Sequence, residues 1–142
     1  MKRVGSAEWR GDLKGGQGDI TTESGALKRQ AYSFSTRFEQ EPGTNPEELI
    51  AAAHAACYSM AFALTLSNEG YEPESIATQA TCSLEKKGDG FAITKMKREV
   101  EGHVPDIDAA TFQEIAEEAD QGCPVSNLLR EGLTIELHAS LA

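Results

Sequence analysis

Apolar residues recur along this chain with two different periods, and each change of period marks a new element. The first stretch is short alternation broken by turns. Gly5–Arg10 begins to alternate around Trp9, and Gly18–Glu23 alternates polar with β-branched residues, with Gly11-Asp12, Lys14-Gly15-Gly16 and Ser24-Gly25 as turn signals. Ala31–Phe38 predicts another strand, with Tyr32, Phe34, Thr36 and Phe38 on one face and Ser33, Ser35 and Arg37 on the other. After the polar loop Glu39–Asn45 the pattern becomes helical. Asn45 is placed to cap free amides, Pro46 suits the first helical position, and Glu47 and Glu48 sit at the positive end of the helix dipole.

That helix is predicted to run from Pro46 to about Asn68, some 33 Å in length at ~1.5 Å per residue, until Gly70 ends it. It is nearly charge-free and apolar all round, which predicts burial on every side. Two long alternating stretches follow, Ser75–Leu84 and Phe91–Val104, joined by the turn Lys87-Gly88-Asp89-Gly90. Asp108 is placed to cap a second helix, with Phe112, Ile115, Ala116 and Ala119 at helical spacing and Gly122 as its stop. Cys123-Pro124 opens a further helical turn or two through Leu129, and Leu133–Leu141 alternates as a closing strand. The order predicts a single α+β domain over residues 1–142, mainly antiparallel sheet around a long buried central helix. A chain this short has few elements with which to cover such a helix, which points to a homodimer.

Composition narrows the partners. A net charge of −10 with no basic cluster beyond Lys95-Met96-Lys97-Arg98 argues against nucleic acid, since phosphate neutralisation needs a concentrated basic face. The charged N-terminus Met1–Ser6 has no apolar run behind it, so no signal peptide is expected. Leu49–Leu66 reaches the lower length of a membrane span, but seven of its residues are alanine, His54, Cys57, Ser59 and Thr65 interrupt it, and acids flank it. No membrane partner is expected. Three cysteines in a chain that reads as cytoplasmic should rest reduced, so a transient, chemical pair is favoured over a permanent disulfide.

Those cysteines carry the candidate chemistry. Cys57, at the centre of the long helix, is either inert packing or a nucleophile, and burial alone would raise its pKa and silence it. Cys123 sits at the N-cap of a new helix, where unpaired amides favour a thiolate. Cys82 shares a strand face with Ile76, Thr78, Ala80 and Leu84 and reads as packing. His54, three residues before Cys57 on the same helix face, is a candidate general base, which leaves a Cys–His hydrolase or acyl transferase open. A metal held by His54, Cys57 and Cys123 lacks any paired ligand spacing. Arg37 is the candidate for the positive charge Cys57 needs. Glu47 is placed to hold its guanidinium in a fork, whereas Glu48 reads as helix-start electrostatics.

Thr-Arg-Phe-Glu, the run Gly-Thr-Asn-Pro-Glu-Glu-Leu-Ile-Ala-Ala-Ala-His-Ala-Ala-Cys, and Gly-Cys-Pro-Val-Ser closely resemble the OsmC branch of the OsmC/Ohr family. The early Glu-Ser-Gly and Gly-Phe-Ala-Ile-Thr-Lys at 90–95 extend the likeness over essentially the whole chain. The resemblance implies an OsmC-like fold, an intertwined α+β homodimer with active sites at the subunit interface. It also implies a thiol-dependent peroxidase acting on organic hydroperoxides, and less well on hydrogen peroxide, with no metal or organic cofactor. By position, Cys57 resembles the peroxidatic cysteine, Cys123 the resolving one, Arg37 the arginine that activates the thiolate and Glu47 the acid that orients it; an external dithiol would recycle the pair. Glu47 and Cys57 are ten residues apart, about 15 Å of helix, so Arg37 and Glu47 of one subunit are expected to serve Cys57 of the other. A non-catalytic redox-sensing or lipid-binding dimer is the remaining alternative.

Overall fold

The computed structural model describes residues 1–132, which fall into two compact units, one of Met1–Ile50 with Lys86–Phe91 and the other built from Ala51–Glu85 and the chain from Ala92 onward. In the first unit, β1 (Gly5–Arg10), β2 (Gln17–Thr22) and β3 (Gln30–Ser33) form an antiparallel meander with β2 in the middle. Its register places Gly18 opposite Trp9 on one side and Tyr32 on the other. The two rings tilt together over that glycine, their centroids 5.4 Å apart. A Cβ at Gly18 would strike both rings, so the position has to be glycine.

Here the structure corrects the predicted strand Ala31–Phe38. The strand stops at Ser33, and Phe34–Phe38 is a helical turn, α1. Ser33 and Thr36 form a capping box: the Thr36 amide donates to Ser33 Oγ at 3.2 Å and the Ser33 amide donates to Thr36 Oγ1 at 2.9 Å. Phe34 and Phe38 fit alternation, but they are also four residues apart, and on the helix their rings meet at 4.9 Å. Phe38 makes a second ring contact, at 4.9 Å, with Phe91 at the hairpin tip.

Helix α2 spans Pro46–Asn68, as its caps predict. Asn45 Oδ1 accepts from the Glu48 amide at 2.8 Å, while its side-chain NH₂ donates to the Thr36 carbonyl at 3.2 Å and ties the helix start to α1. At the other end Tyr71 N–H reaches Leu66 O at 2.9 Å and Gly70 N–H reaches Ser67 O at 3.1 Å. This pair of bonds is a Schellman stop, and the φ of +87° at Gly70 is the left-handed conformation it requires.

The second unit packs β4 (Ser75–Lys87), β5 (Gly90–His103), α3 (Ala109–Gly122) and α4 (Pro124–Glu131) with most of α2, the β4–β5 hairpin reaching its tip in the first unit. Asp108 caps α3 by accepting from the Ala110 and Thr111 amides, both at 3.0 Å. The core is Tyr58, Phe62 and Leu66 from α2 against Ile115, Ala116 and Ala119 from α3, closed by Cys123. Within one chain α2 buries Glu47 in its first turn and the stripe through His54, Tyr58, Phe62 and Leu66, whereas Met60 and Leu64 are 76% and 63% exposed and Ala53 and Ala56 are also exposed. The steps of four residues select one face, and the α3 side supplies cover for that face alone. By length and composition α2 would also reach across a bilayer, but its buried stripe packs as a globular core helix does. The strand predicted at Leu133–Leu141 lies outside the described residues.

Candidate active site

The sequence-predicted residues resolve into two groups, one in each unit. In the first, Arg37 near the end of α1 faces Glu47 in the first turn of α2. Nε donates to both carboxylate oxygens at 3.2 and 3.3 Å, and Nη2 donates to Oε1 at 2.8 Å. This is the predicted fork. Glu47 is buried, with a side chain only 9% exposed, whereas that of Arg37 is 37% exposed. The acid thus fixes the guanidinium while leaving it partly open. Beside it lies a hollow of about 420 Å³ lined by Trp9, Leu13, Tyr32, Phe34, Phe38 and Arg37 itself.

In the second unit Cys57 of α2 meets Cys123, which ends α3 and caps α4 in a single step. Pro124 has no N–H to continue α3, so the chain turns at Cys123 and restarts. Cys123 is fully buried, and Cys57 is half-buried against the same core. Burial pushes the Cys57 thiol above its ordinary pKa; the Val125 amide works against this, and the Cys123 sulfur, which takes a hydrogen bond from Cys57, adds to it. For Cys123 burial again acts upward, but the Ser126 hydroxyl and amide, Cys57 and the Val125 amide outweigh it and hold this thiol below the ordinary value. Left to this unit alone, Cys123 is the more acidic of the two thiols.

His54 does not pair with Cys57 as a general base. Its Nε2 lies 2.8 Å from Ser126 Oγ, and its Nδ1 is buried with no hydrogen-bond partner among the described residues. Burial, then the nearby charge of Arg98, lowers its pKa and so disfavours the imidazolium. Cys82 is half-buried on the inward face of β4, in phase with Ile76, Thr78, Ala80 and Leu84, as the packing reading expects. No group of three or more potential metal ligands occurs among the described residues.

Sequence reasoning missed a polar cluster around Ser126. Arg98 of β5 donates through Nη1 to Ser126 Oγ at 3.1 Å and through Nη2 to Asp120 at 2.5 Å, and lies 4.4 Å over the Tyr58 ring. Arg130 of α4 also reaches Asp120, at 2.5 Å. The signal was there in the alternation of β5. Arg98 is in phase with Met96, Val100 and Gly102 on the inward face, where a charge needs a buried partner.

On an α+β scaffold, one unit thus carries two neighbouring cysteines and the other a guanidinium–carboxylate fork. Residues 38–138 match the family model for OsmC-like protein, and the chain belongs to the OsmC family. It is 54% identical over 136 residues to Peroxiredoxin OsmC of Escherichia coli K12, covering 96% of this chain and 95% of that protein. It is 29% identical over 126 residues to the organic hydroperoxide resistance protein OhrB of Bacillus subtilis, covering 87% and 90%. The crystal structure of that OhrB superposes with a TM-score of 0.65 over 90% of this chain and 91% of its own. An OsmC-like protein from Mycoplasma pneumoniae, at 16% identity, shares the fold with a TM-score of 0.69 over 92% and 89% of the two chains.

Proposed function

We propose that the protein is a thiol-dependent peroxidase that reduces organic hydroperoxides to alcohols, with Cys57 as the peroxidatic and Cys123 as the resolving cysteine. The observation that carries the reading is the packing of Cys57 against the core that Cys123 closes, on a chain 54% identical to a named peroxiredoxin. The Cys57 thiolate attacks the distal oxygen of ROOH. The O–O bond breaks, ROH leaves with a proton, and Cys57 becomes a sulfenic acid. The Cys123 thiolate then attacks that sulfur, expelling hydroxide, which is protonated to water as the disulfide forms. An external dithiol reduces the pair by exchange.

Cys57 needs a positive charge to become the thiolate, and Arg37, held by Glu47, is the group we assign to supply it. Glu47 stands ten residues from Cys57 on one helix, about 15 Å of rise. We therefore assign the fork to Cys57 of a second subunit in a homodimer. The exposed apolar stripe through Ala53, Ala56, Met60 and Leu64 gives such a partner a surface to cover. Aromatic walls in the hollow beside Arg37 suit a hydrocarbon tail, which makes hydrogen peroxide the poorer substrate. The reading takes residues 1–142 as one OsmC-like domain, resting reduced in the cytoplasm.

The test uses two variants with cumene hydroperoxide. Cys123→Ser should consume one equivalent and stop, with a Cys57 sulfenic acid trapped by dimedone, while His54→Ala still consumes hydroperoxide in its first turnover. Loss of that first turnover in His54→Ala with full cycling in Cys123→Ser would instead mark a Cys–His hydrolytic nucleophile.

A further inference from the structure

Cys123 lies midway between two residues held by the same guanidinium. Arg98 of β5 donates through Nη2 to Asp120, three residues before the cysteine on α3, at 2.5 Å. Through Nη1 it donates to Ser126, three residues after the cysteine on α4, at 3.1 Å. Arg130 braces the same joint from outside, reaching Asp120 Oδ2 at 2.5 Å and Asn127 Oδ1 at 2.6 Å. The backbone adds two bonds: the Cys123 amide donates to the Asp120 carbonyl at 3.3 Å, and the Asn127 amide to the Cys123 carbonyl at 3.1 Å. The turn that carries Cys123 is thus held as one piece.

What remains to be set is the register of that piece against α2. Apolar contacts draw the two together but carry no direction, so register falls to hydrogen bonds. Tyr58 Oη donates to the Ala116 carbonyl at 2.9 Å, seven residues before Cys123 on α3. On the α4 side the tie is His54, whose Nε2 lies 2.8 Å from Ser126 Oγ, with the two residues only 3% and 4% exposed. Cys57 stands three residues after His54 on α2, which places it on the same face one turn on. Cys123 stands three residues before Ser126, at the N-cap of α4, and an N-cap lies beside the third residue of its helix. One step along each element from the hydrogen-bonded pair therefore arrives at the two cysteines, and Cys57 packs against the core that Cys123 closes.

Building on the peroxidase reading above, we propose that His54 is a positioning residue for disulfide closure: its hydrogen bond to Ser126 sets the register in which the braced turn presents Cys123 to Cys57. In the step it serves, an electron pair of the Cys123 thiolate forms the S–S bond with the sulfenic sulfur of Cys57. The S–O bond breaks, and its pair leaves with the oxygen as hydroxide, which is protonated to water. His54 exchanges no proton with either sulfur. Register matters here because a disulfide accepts only a narrow range of Cα separation and torsion, and a misplacement of about 1 Å is enough to slow a positioned reaction by up to ~10²-fold. Formation of the sulfenic acid needs no such alignment, so His54 acts on the second step alone.

Quenched-flow mixing of the reduced protein with cumene hydroperoxide, counting dimedone-trapped sulfenic acid and disulfide against time, tests this. His54→Ala should form the sulfenic acid at the parent rate and close the disulfide about tenfold more slowly. More sulfinic acid should then accumulate at excess hydroperoxide. Ser126→Ala, which removes the other end of the bond, should slow closure at least as much, and adding His54→Ala to it should slow closure no further. It carries the same expectation if His54→Ala does not fold. His54→Gln, whose amide places a polar nitrogen or oxygen near the site of Nε2, should restore most of the parent rate. Unchanged closure in His54→Ala overturns the proposal, as do additive losses in the double variant or an equal fall of both steps, which marks general loosening. A second readout needs no hydroperoxide: in equilibrium with oxidised dithiothreitol, the Cys57–Cys123 disulfide should form about tenfold less favourably in His54→Ala. If the parent protein forms no sulfenic acid while this equilibrium shifts, the peroxidase reading fails and the register stands; an equilibrium that does not shift overturns the register.

Discussion

Two of the protein's arginine–carboxylate sites, Arg37–Glu47 and Arg98–Asp120, are built in opposite ways. Arg37 is held by a single acid, Glu47, through a fork that uses Nε and Nη2, lies 5.1 Å over the Phe38 ring, and keeps 37% of its side chain exposed. Arg98 is 21% exposed and is held by an acid, a serine hydroxyl and a tyrosine face drawn from three different elements. A cation with one hydrogen-bonded partner and an open side keeps a field to offer to something else. One that bridges two partners has less left to offer and works by holding its neighbours in place. The first design suits activation of a nucleophile, the second suits a scaffold.

The same substitution in both sites separates these roles. Arg37→Lys keeps the charge but loses the planar fork, and should slow hydroperoxide-driven oxidation of Cys57 by about 10²-fold, with stability changed by no more than about 1 kcal/mol. Stopped-flow rates and thermal unfolding measure the two effects. Arg98→Lys should do the reverse. A single ammonium cannot serve Ser126 and Asp120 together and lie flat on Tyr58, so unfolding should cost about 2 kcal/mol less, a fall of roughly 6 °C in Tm. Equal rate losses in the two variants would erase the distinction.

The acid limb of the stability curve sharpens it further, with the smallest effect. Although burial works to raise the Asp120 pKa, the Ser126 hydroxyl and Arg98 hold it below the ordinary carboxylate range. A depressed folded-state pKa contributes stability that is complete above the unfolded value of about 3.9 and is lost as pH falls through the lower folded value. Denaturant midpoints measured across that acid range should therefore drop, and Asp120→Asn should flatten the drop while lowering stability at neutral pH.

How much of this was legible in the chain depends on how local each feature is. Asn45-Pro46, Gly70, Gly88 and Asp108 act through their immediate neighbours, so both ends of α2, the hairpin turn and the start of α3 could be read directly. The Arg37–Glu47 fork joins two nearby motifs and was also readable. Phe34–Phe38 was not, because aromatic residues at 34 and 38 satisfy strand and helix periods alike, and the Ser33–Thr36 capping box decides between them. The all-round apolar character of α2 concealed which face one chain would bury. Arg98, Ser126 and Asp120 were missed because no short segment contains their relationship, although a charged residue in phase with the core face of β5 was the clue. The pairing of Cys57 with Cys123 came from motif resemblance, since periodicity does not bring a mid-helix thiol to the start of another helix.

The most direct test of the two-cysteine mechanism is to mix the fully reduced protein with cumene hydroperoxide in a stopped-flow instrument, count the remaining thiols, and map any disulfide by mass spectrometry. Two of the three thiols should disappear within the fast phase, joined as Cys57–Cys123, with Cys82 still reduced. Retention of all three thiols while hydroperoxide persists, or a disulfide that includes Cys82, would contradict the account.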